Sequence, residues 1–184
     1  DIVVASLLLA LTLPIIVCVA AVIVVTDGRP VFFKQVRMGM HGIPFEMFKF
    51  RSMIVNAANV GSYATSDGDP RITGIGKIIR RTSLDELPQL INVIRGDMSI
   101  VGPRPERPEH IKRLTEKIPF YRTRLVIRPG LTGWAQVRYN YGSTDEDALI
   151  KLQYDLYYIR HQSILLDLNI ILRTVYKVIQ MGGM

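Results

Sequence analysis

Residues Ile2 to Val25 carry no charged side chain, an uninterrupted run of 24 residues. About 20 consecutive apolar residues suffice to cross a bilayer as a helix, so this run can enter or span one. A cleaved leader would need a basic start and a small-residue cleavage site, and neither stands here. Pro14 falls in the middle of the run, where its missing donor and its clash with the preceding turn predict a kink. Carbonyls freed in lipid need partners, and the Thr12 hydroxyl is near enough to serve. Hydropathy leaves two outcomes open. The helix spans with a bend, which is slightly favoured, or it turns at Pro14 and returns to the side it came from. Asp27-Gly28-Arg29-Pro30 then reads as a turn back towards water. The first residue is Asp rather than Met, so the chain is expected to begin inside a longer protein.

The remaining residues belong to one domain with enough apolar material, 48% overall, to build a core. A net charge of +7 calls for an anionic partner: nucleic acid, anionic lipid or a phosphorylated substrate. No recognisable nucleic-acid fold supports the first. Cys18 is the only cysteine, so no disulfide or cysteine metal site can be built, and it reads as a small buried hydrophobe. His41, His110 and His161 lack metal-ligand spacing and read as structural or surface residues.

Val31 to Arg37 predicts a short strand, Gly39 and Gly42 a loop, and Phe45 to Met53, with Lys49 and Arg51, a second strand. Asn59 to Pro70 is rich in Gly, Ser, Asp and Asn and predicts a mobile loop. Ile72 to Lys77 has two glycines and a lysine but not the spacing of a phosphate loop, and that reading is rejected. Lys77 to Arg81 predicts a basic helix. Ser83 with Glu86 three residues on forms a capping-box pattern for the next helix, with Pro88 near its first turns. Leu87, Leu90, Ile91 and Ile94 give that helix a buried face and Gly96 its stop.

Asp85 and Glu86 therefore have two readings. They are acids suited to a helix N-terminus, one capping and one complementing the dipole. Alternatively, the dipole with Arg80 and Arg81 keeps Asp85 ionised for attack on phosphorus, while Glu86 holds a Mg²⁺. The local pattern leaves both open. Arg80, Arg81, Arg95, Arg104 and Arg107 lie close by in sequence, and the prolines of Gly102-Pro103-Arg104-Pro105 stiffen the backbone that aims Arg104. Such a loop suits bidentate phosphate binding. A solvated basic face or a lipid contact stays open for each arginine singly.

These stretches resemble a known family. Arg81-Thr82-Ser83-Leu84-Asp85-Glu86-Leu87-Pro88-Gln89-Leu90, Asn92-Val93, Gly96-Asp97-Met98-Ser99, Val101-Gly102-Pro103-Arg104-Pro105 and Arg128-Pro129-Gly130-Leu131-Thr132-Gly133-Trp134-Ala135-Gln136-Val137 are similar to motifs of the bacterial sugar transferases. Gln35 to Gly39 and Phe48 to Met53 extend the likeness over essentially the whole chain. These are monotopic phosphoglycosyl transferases. The resemblance implies transfer of a sugar 1-phosphate from a UDP-sugar to polyprenyl (undecaprenyl) phosphate, with release of UMP. It implies Asp85 as the nucleophile of a phospho-sugar intermediate and Glu86 as a Mg²⁺ ligand. It places Arg80 near the polyprenyl phosphate and Arg104 near the nucleotide diphosphate. Lys49 and Asp167 match functional positions, and Arg51 beside Lys49 is taken with them as substrate-binding.

The resemblance also implies an N-terminal helix-break-helix that enters and leaves the cytoplasmic face of the bacterial inner membrane. The family bends at Ser-Pro; Leu13-Pro14 stands here instead. The expected fold is α+β and mostly helical. It comprises a membrane-inserted segment 1–26 kinked at Pro14 and a cytoplasmic-face catalytic domain 27–184 with an interfacial C-terminal helix. Ser143 to Glu146 is a second capping-box pattern for a helix to about Arg160, whose Tyr154, Tyr157 and Tyr158 read as packing residues. Ile164 to Gln180 predicts an amphipathic helix with Leu165, Leu168, Leu172 and Val175 or Ile179 on one side. Asn169, Arg173, Lys177 and Gln180 lie on the other, a profile for the headgroup plane. Tyr139 to Gly142 is a candidate for sugar selection. Nothing in the residues names the sugar, and an oligomer stays open. The rival reading of the whole is a non-catalytic membrane-anchored scaffold.

Overall fold

The computed structural model describes residues 1–57, 68–139, 142 and 144–180, with only the main chain of Ile179. α1 (Ile2–Asp27) is one continuous helix with Pro14 inside it, and the chain does not leave helical geometry there. The Thr12 hydroxyl donates to the Leu8 carbonyl at 2.7 Å, not to the Ala10 carbonyl that Pro14 leaves without its i+4 donor. Among the described residues α1 is the one helix long and apolar enough to cross a membrane.

α1 is apolar on all sides, so its sequence does not say which side meets protein. One stripe does. Ala5 and Leu9 pack into one core cluster, and Ile16, Val19, Ala20 and Ile23 into another. These positions recur every three or four residues and so share a helix face. On the opposite side Leu7, Leu11, Val17 and Val25 are 60–85% exposed. Cys18 also lies exposed, not buried as expected, because it falls off the docked stripe. Both ends of α1 are tied to the same body. The Asp1 carboxylate accepts from the Ser99 hydroxyl at 3.0 Å and the Ile100 N–H at 3.1 Å. At the other end Arg51 donates to the Asp27 and Gly28 carbonyls at 2.8 and 2.7 Å.

The body is α+β and mostly helical, as expected. β1 (Phe32–Met38) and β2 (Pro44–Phe50) form an antiparallel hairpin in the register Phe32↔Phe50 to Met38↔Pro44, turned by a 3-10 element at Met40–Gly42. α2 (Gly74–Arg81) starts three residues before the expected Lys77, because the Thr73 hydroxyl accepts from the Gly76 N–H. A Cβ on Gly76 would overlap the Ser52 carbonyl, so this glycine serves close packing. Next come a 3-10 turn, Leu84–Gln89, and α3 (Leu90–Arg95), which ends at left-handed Gly96 as expected.

The expected capping box at Ser83 is not formed. Ser83 itself adopts a left-handed conformation (φ 56°) and its side chain caps nothing. A helix begun there would need the Pro88 N–H to reach the Leu84 carbonyl, and proline has none, so the chain tightens to 3-10 geometry. Glu86 is thereby released from capping.

β3 (Ser99–Val101) and β4 (Gly130–Thr132) pair in parallel, a sheet too short for alternation to announce. Glycines hold it together. A Cβ on Gly130 would overlap both the Gly102 nitrogen and the Thr132 carbonyl, and one on Gly133 would overlap the Gly102 carbonyl. Gly130→Ala is therefore expected to destabilise the protein by about 2 kcal/mol or more; an unchanged thermal unfolding midpoint would contradict this packing.

α4 (Pro108–Lys117) and a 3-10 turn at Tyr121–Leu125 form a second core with α6 (Asp145–Arg160), while α5 (Trp134–Arg138) joins the main one. α6 is capped one residue later than expected. Thr144 accepts from the Asp147 N–H and Asp147 accepts from the Thr144 N–H. α7 (Ile164–Ile179) meets the body through Ile170 and leaves Leu165, Leu168, Leu172 and Val175 exposed. Tyr158 is buried and Tyr157 stacks with Trp134 and His161, which agrees with packing roles. Ser143, Asn140, Tyr141 and most of the Asn59–Pro70 loop lie outside the described residues.

Candidate active site

Three segments converge. β2 brings Lys49, the 3-10 turn brings Asp85 and Glu86, and the loop after β3 brings Arg104. Lys49 Nζ lies 2.5 Å from Glu86 Oε1 and 3.8 Å from Asp85 Oδ2. Arg104 Nη2 reaches the same Glu86 oxygen at 2.8 Å. Four residues from three separate segments of the chain thus share one charge cluster, and all were read as site residues from the sequence.

Asn92 was read as part of a motif, but its role was missed. It is fully buried on α3, and its carboxamide behaves as a short strand: Oδ1 accepts from the Phe48 N–H at 3.0 Å and Nδ2 donates to the Glu46 carbonyl at 2.7 Å. That pairing satisfies the free edge of β2 on either side of Met47 and fixes the strand that carries Lys49. A lone Asn on an apolar helix face carries no local sign of such a role.

The two acids sit in different electrostatic states. At Glu86, burial works to raise the carboxyl, but Arg104 and Lys49 outweigh it and hold the group well below the usual carboxylate range. At Asp85, burial wins. It raises the carboxyl, with Glu86 adding to the rise, against the pull of Lys49, Arg80 and Arg104. The sequence expectation of a dipole-stabilised Asp85 is therefore corrected: its turn is 3-10, and desolvation is the largest influence. Among the described residues Asp85 accepts no hydrogen bond and its Oδ2 has the looser 3.8 Å ion pair with Lys49, while one of Glu86's oxygens is held twice.

The other expected residues are placed as follows. Arg80 lies in the last turn of α2 and contributes to the field at Asp85. Arg81 is exposed, Arg95 lies over the Phe48 ring at 4.9 Å, and Arg107 precedes α4. Arg51, just after β2, reaches the end of α1, and its Nε and Nη1 are buried without hydrogen-bond partners among the described residues. Asp167, in the first turn of α7, accepts from the Tyr158 hydroxyl at 2.8 Å; among the described residues it makes no contact with the acid pair.

Among the described residues no three His, Cys, Asp or Glu side chains gather as a metal cage. Mg²⁺ does not require one. It commonly takes one or two carboxylates together with substrate phosphates and water. Glu86 suits that habit, since it is held ionised and, among the described residues, only its Oε1 is engaged.

Two adjacent carboxylates thus lie beside the cations of Lys49 and Arg104. The sequence profile of the family described as "Bacterial sugar transferase" matches residues 1–181, and the chain belongs to that family. It is 40% identical over 179 residues to the UDP-N-acetylgalactosamine-undecaprenyl-phosphate N-acetylgalactosaminephosphotransferase of Aeromonas hydrophila, covering 97% of this chain and 42% of the relative. It is 44% identical over 179 residues to the UDP-glucose:undecaprenyl-phosphate glucose-1-phosphate transferase of Escherichia coli K12, covering 96% and 39%. The transferase of the same description from Caulobacter vibrioides is 43% identical over 177 residues, covering 95% and 66%. The chain thus spans about two fifths of the length of the first two.

Proposed function

We propose that this chain carries the catalytic centre of a transferase that moves a sugar 1-phosphate from a UDP-sugar to undecaprenyl phosphate. The observation that carries the reading is the division of labour at the acid pair: Glu86 is hydrogen-bonded to Lys49 and Arg104, while Asp85 beside it has only a looser 3.8 Å ion pair with Lys49 among the described residues. A carboxylate oxygen of Asp85 attacks the sugar-linked phosphorus. The bond from that phosphorus to the bridging oxygen breaks, and UMP leaves with the electron pair. An oxygen of the lipid phosphate then attacks the acyl phosphate, forming the lipid diphosphosugar and returning Asp85 as carboxylate.

Arg104 and Lys49 stand where a diphosphate's charge needs balancing, and Arg80 is the cation for the acceptor phosphate. Glu86 would hold a Mg²⁺, which when bound neutralises phosphate charge. Arg51 offers two buried N–H groups near the membrane junction, and Asp167 braces the end of β3 through Tyr158, whose hydroxyl also reaches the Val101 carbonyl. Both serve substrate binding from outside the charge cluster.

The same reading covers topology. A 26-residue helix is roughly 39 Å long, yet both ends of α1 bond to one body. That disfavours a crossing from one side of the membrane to the other, and the face bearing Leu7, Leu11, Val17 and Val25 is the one turned to lipid. The exposed leucines of α7, beside Arg173 and Lys177, suit the headgroup plane on the cytoplasmic face of the inner membrane.

A panel of UDP-sugars, each offered with undecaprenyl phosphate and Mg²⁺, tests the activity. UMP release that depends on the lipid for turnover is expected with at least one sugar. A membrane-anchored scaffold would give none with any.

A further inference from the structure

Four successive carbonyls around Arg104 each accept a hydrogen bond. Pro103 takes the Gly130 N–H at 2.9 Å and Glu106 takes the Met38 N–H at 2.9 Å. The middle two take guanidinium groups: Arg37 Nη1 donates to Pro105 at 3.0 Å, and Arg124 Nη2 donates to Arg104 itself at 3.0 Å. The prolines restrict this loop's φ angles, but they do not settle where it sits; these donors do.

Arg124 is the unusual one. It is 5% exposed, in the 3-10 turn between α4 and β4, and its charge is carried into a core that Leu125 and Ile118 line. Burying a guanidinium costs several kcal/mol in general unless it is paired. Here Asp155 of α6, also buried, lies 2.8 Å from Nη2, the Tyr121 hydroxyl accepts from Nη1 at 2.9 Å, and Glu106 stands 3.8 Å away. A well-packed apolar side chain would hold α4, α6 and the turn together at lower desolvation cost. What it would lack is a rigid fork that points a proton at the Arg104 carbonyl while its charge is met from behind.

We infer that Arg124, backed by Asp155, is a positioning residue for Arg104: it fixes the backbone from which the Arg104 guanidinium reaches Glu86 and the donor's diphosphate. The inference rests on the proposed phosphate-binding role of Arg104. Without the Arg124 bond, residue 104 loses a backbone tie that comes from the turn packed on α4 and α6. Arg104 Nη2 then moves off Glu86, and a displacement near 1 Å costs roughly 10²-fold in a positioned reaction.

A double-mutant cycle in the full-length, membrane-extracted protein reads this out. Arg124→Lys is expected to lower kcat/KM for the UDP-sugar about 10- to 100-fold, with KM for undecaprenyl phosphate unchanged. In an Arg104→Ala background the same substitution is expected to add less than about twofold, since the residue it positions is gone. Asp155→Asn, of equal volume, is expected to show the same pattern and carries the test if Arg124→Lys does not fold. A merely structural pair would lower activity equally in both backgrounds, and that result overturns the inference while leaving the Arg104 reading intact. An Arg104→Ala variant with unchanged kcat/KM for the UDP-sugar overturns both.

Discussion

Asp85→Asn is expected to cut UMP release by about 10⁴-fold or more without lowering the thermal unfolding midpoint. The size of the loss follows from the role. Removing a nucleophile on which both half-reactions depend leaves only binding and electrostatic stabilisation behind. An amide oxygen is a poor nucleophile towards phosphorus, so no acyl phosphate accumulates. The stability half follows from burial. Desolvation is the largest influence on the Asp85 carboxyl and raises it, so the folded site disfavours the charge that chemistry requires. An amide of the same shape relieves that conflict, and the midpoint is expected to stay level or rise, as is common where activity and stability compete. Intact-mass measurement after incubation with UDP-sugar alone checks the mechanism: a covalent sugar-phosphate adduct on the wild type and none on the variant. Turnover retained by the variant would remove Asp85 from the chemistry.

The sequence revealed which residues carry charge at the site more readily than it revealed how they are held. Asp85, Glu86, Lys49 and Arg104 lie in ordered motifs, and the structure brings all four together. The hairpin was legible because its strands are bounded by turn residues, and the end of α3 because Gly96 supplies the left-handed cap. The start of the acid-bearing turn was misread. Ser83 and Glu86 have capping-box spacing, and the local pattern gives that more weight than the donor missing at Pro88. β3 and β4 are three residues each, below the length at which alternation says anything, and their glycines reveal a purpose only when the backbones are seen touching. Arg124 and Asp155 look like ordinary surface charges in sequence; burial, which only the tertiary structure determines, makes them a pair. The docked stripe of α1 was hidden for the opposite reason, since an all-apolar helix offers no contrast between faces.

Glu86→Gln is expected to behave unlike its neighbour, losing both activity and stability. In the wild type one carboxylate oxygen accepts from Lys49 and Arg104 together. Gln keeps the volume and an acceptor but removes the charge, so two cations face each other across a neutral group. Removing one partner of a buried ion pair costs about 3–5 kcal/mol in general. The Arg104 side chain is 30% exposed and can turn partly to water, so about 3 kcal/mol or somewhat less is expected here. For a chain of this size that corresponds to a fall of roughly 6–10 °C in the unfolding midpoint. Activity falls too, because the cations that should meet the donor's phosphates now repel each other and move apart. Thermal unfolding of the two variants side by side, in metal-free buffer, is decisive. Adjacent carboxylates of equal formal charge should shift the midpoint differently, down for Glu86→Gln and level or up for Asp85→Asn. Equal shifts would mean that the site does not divide its acids into one that binds the fold together and one kept uncommitted for the reaction.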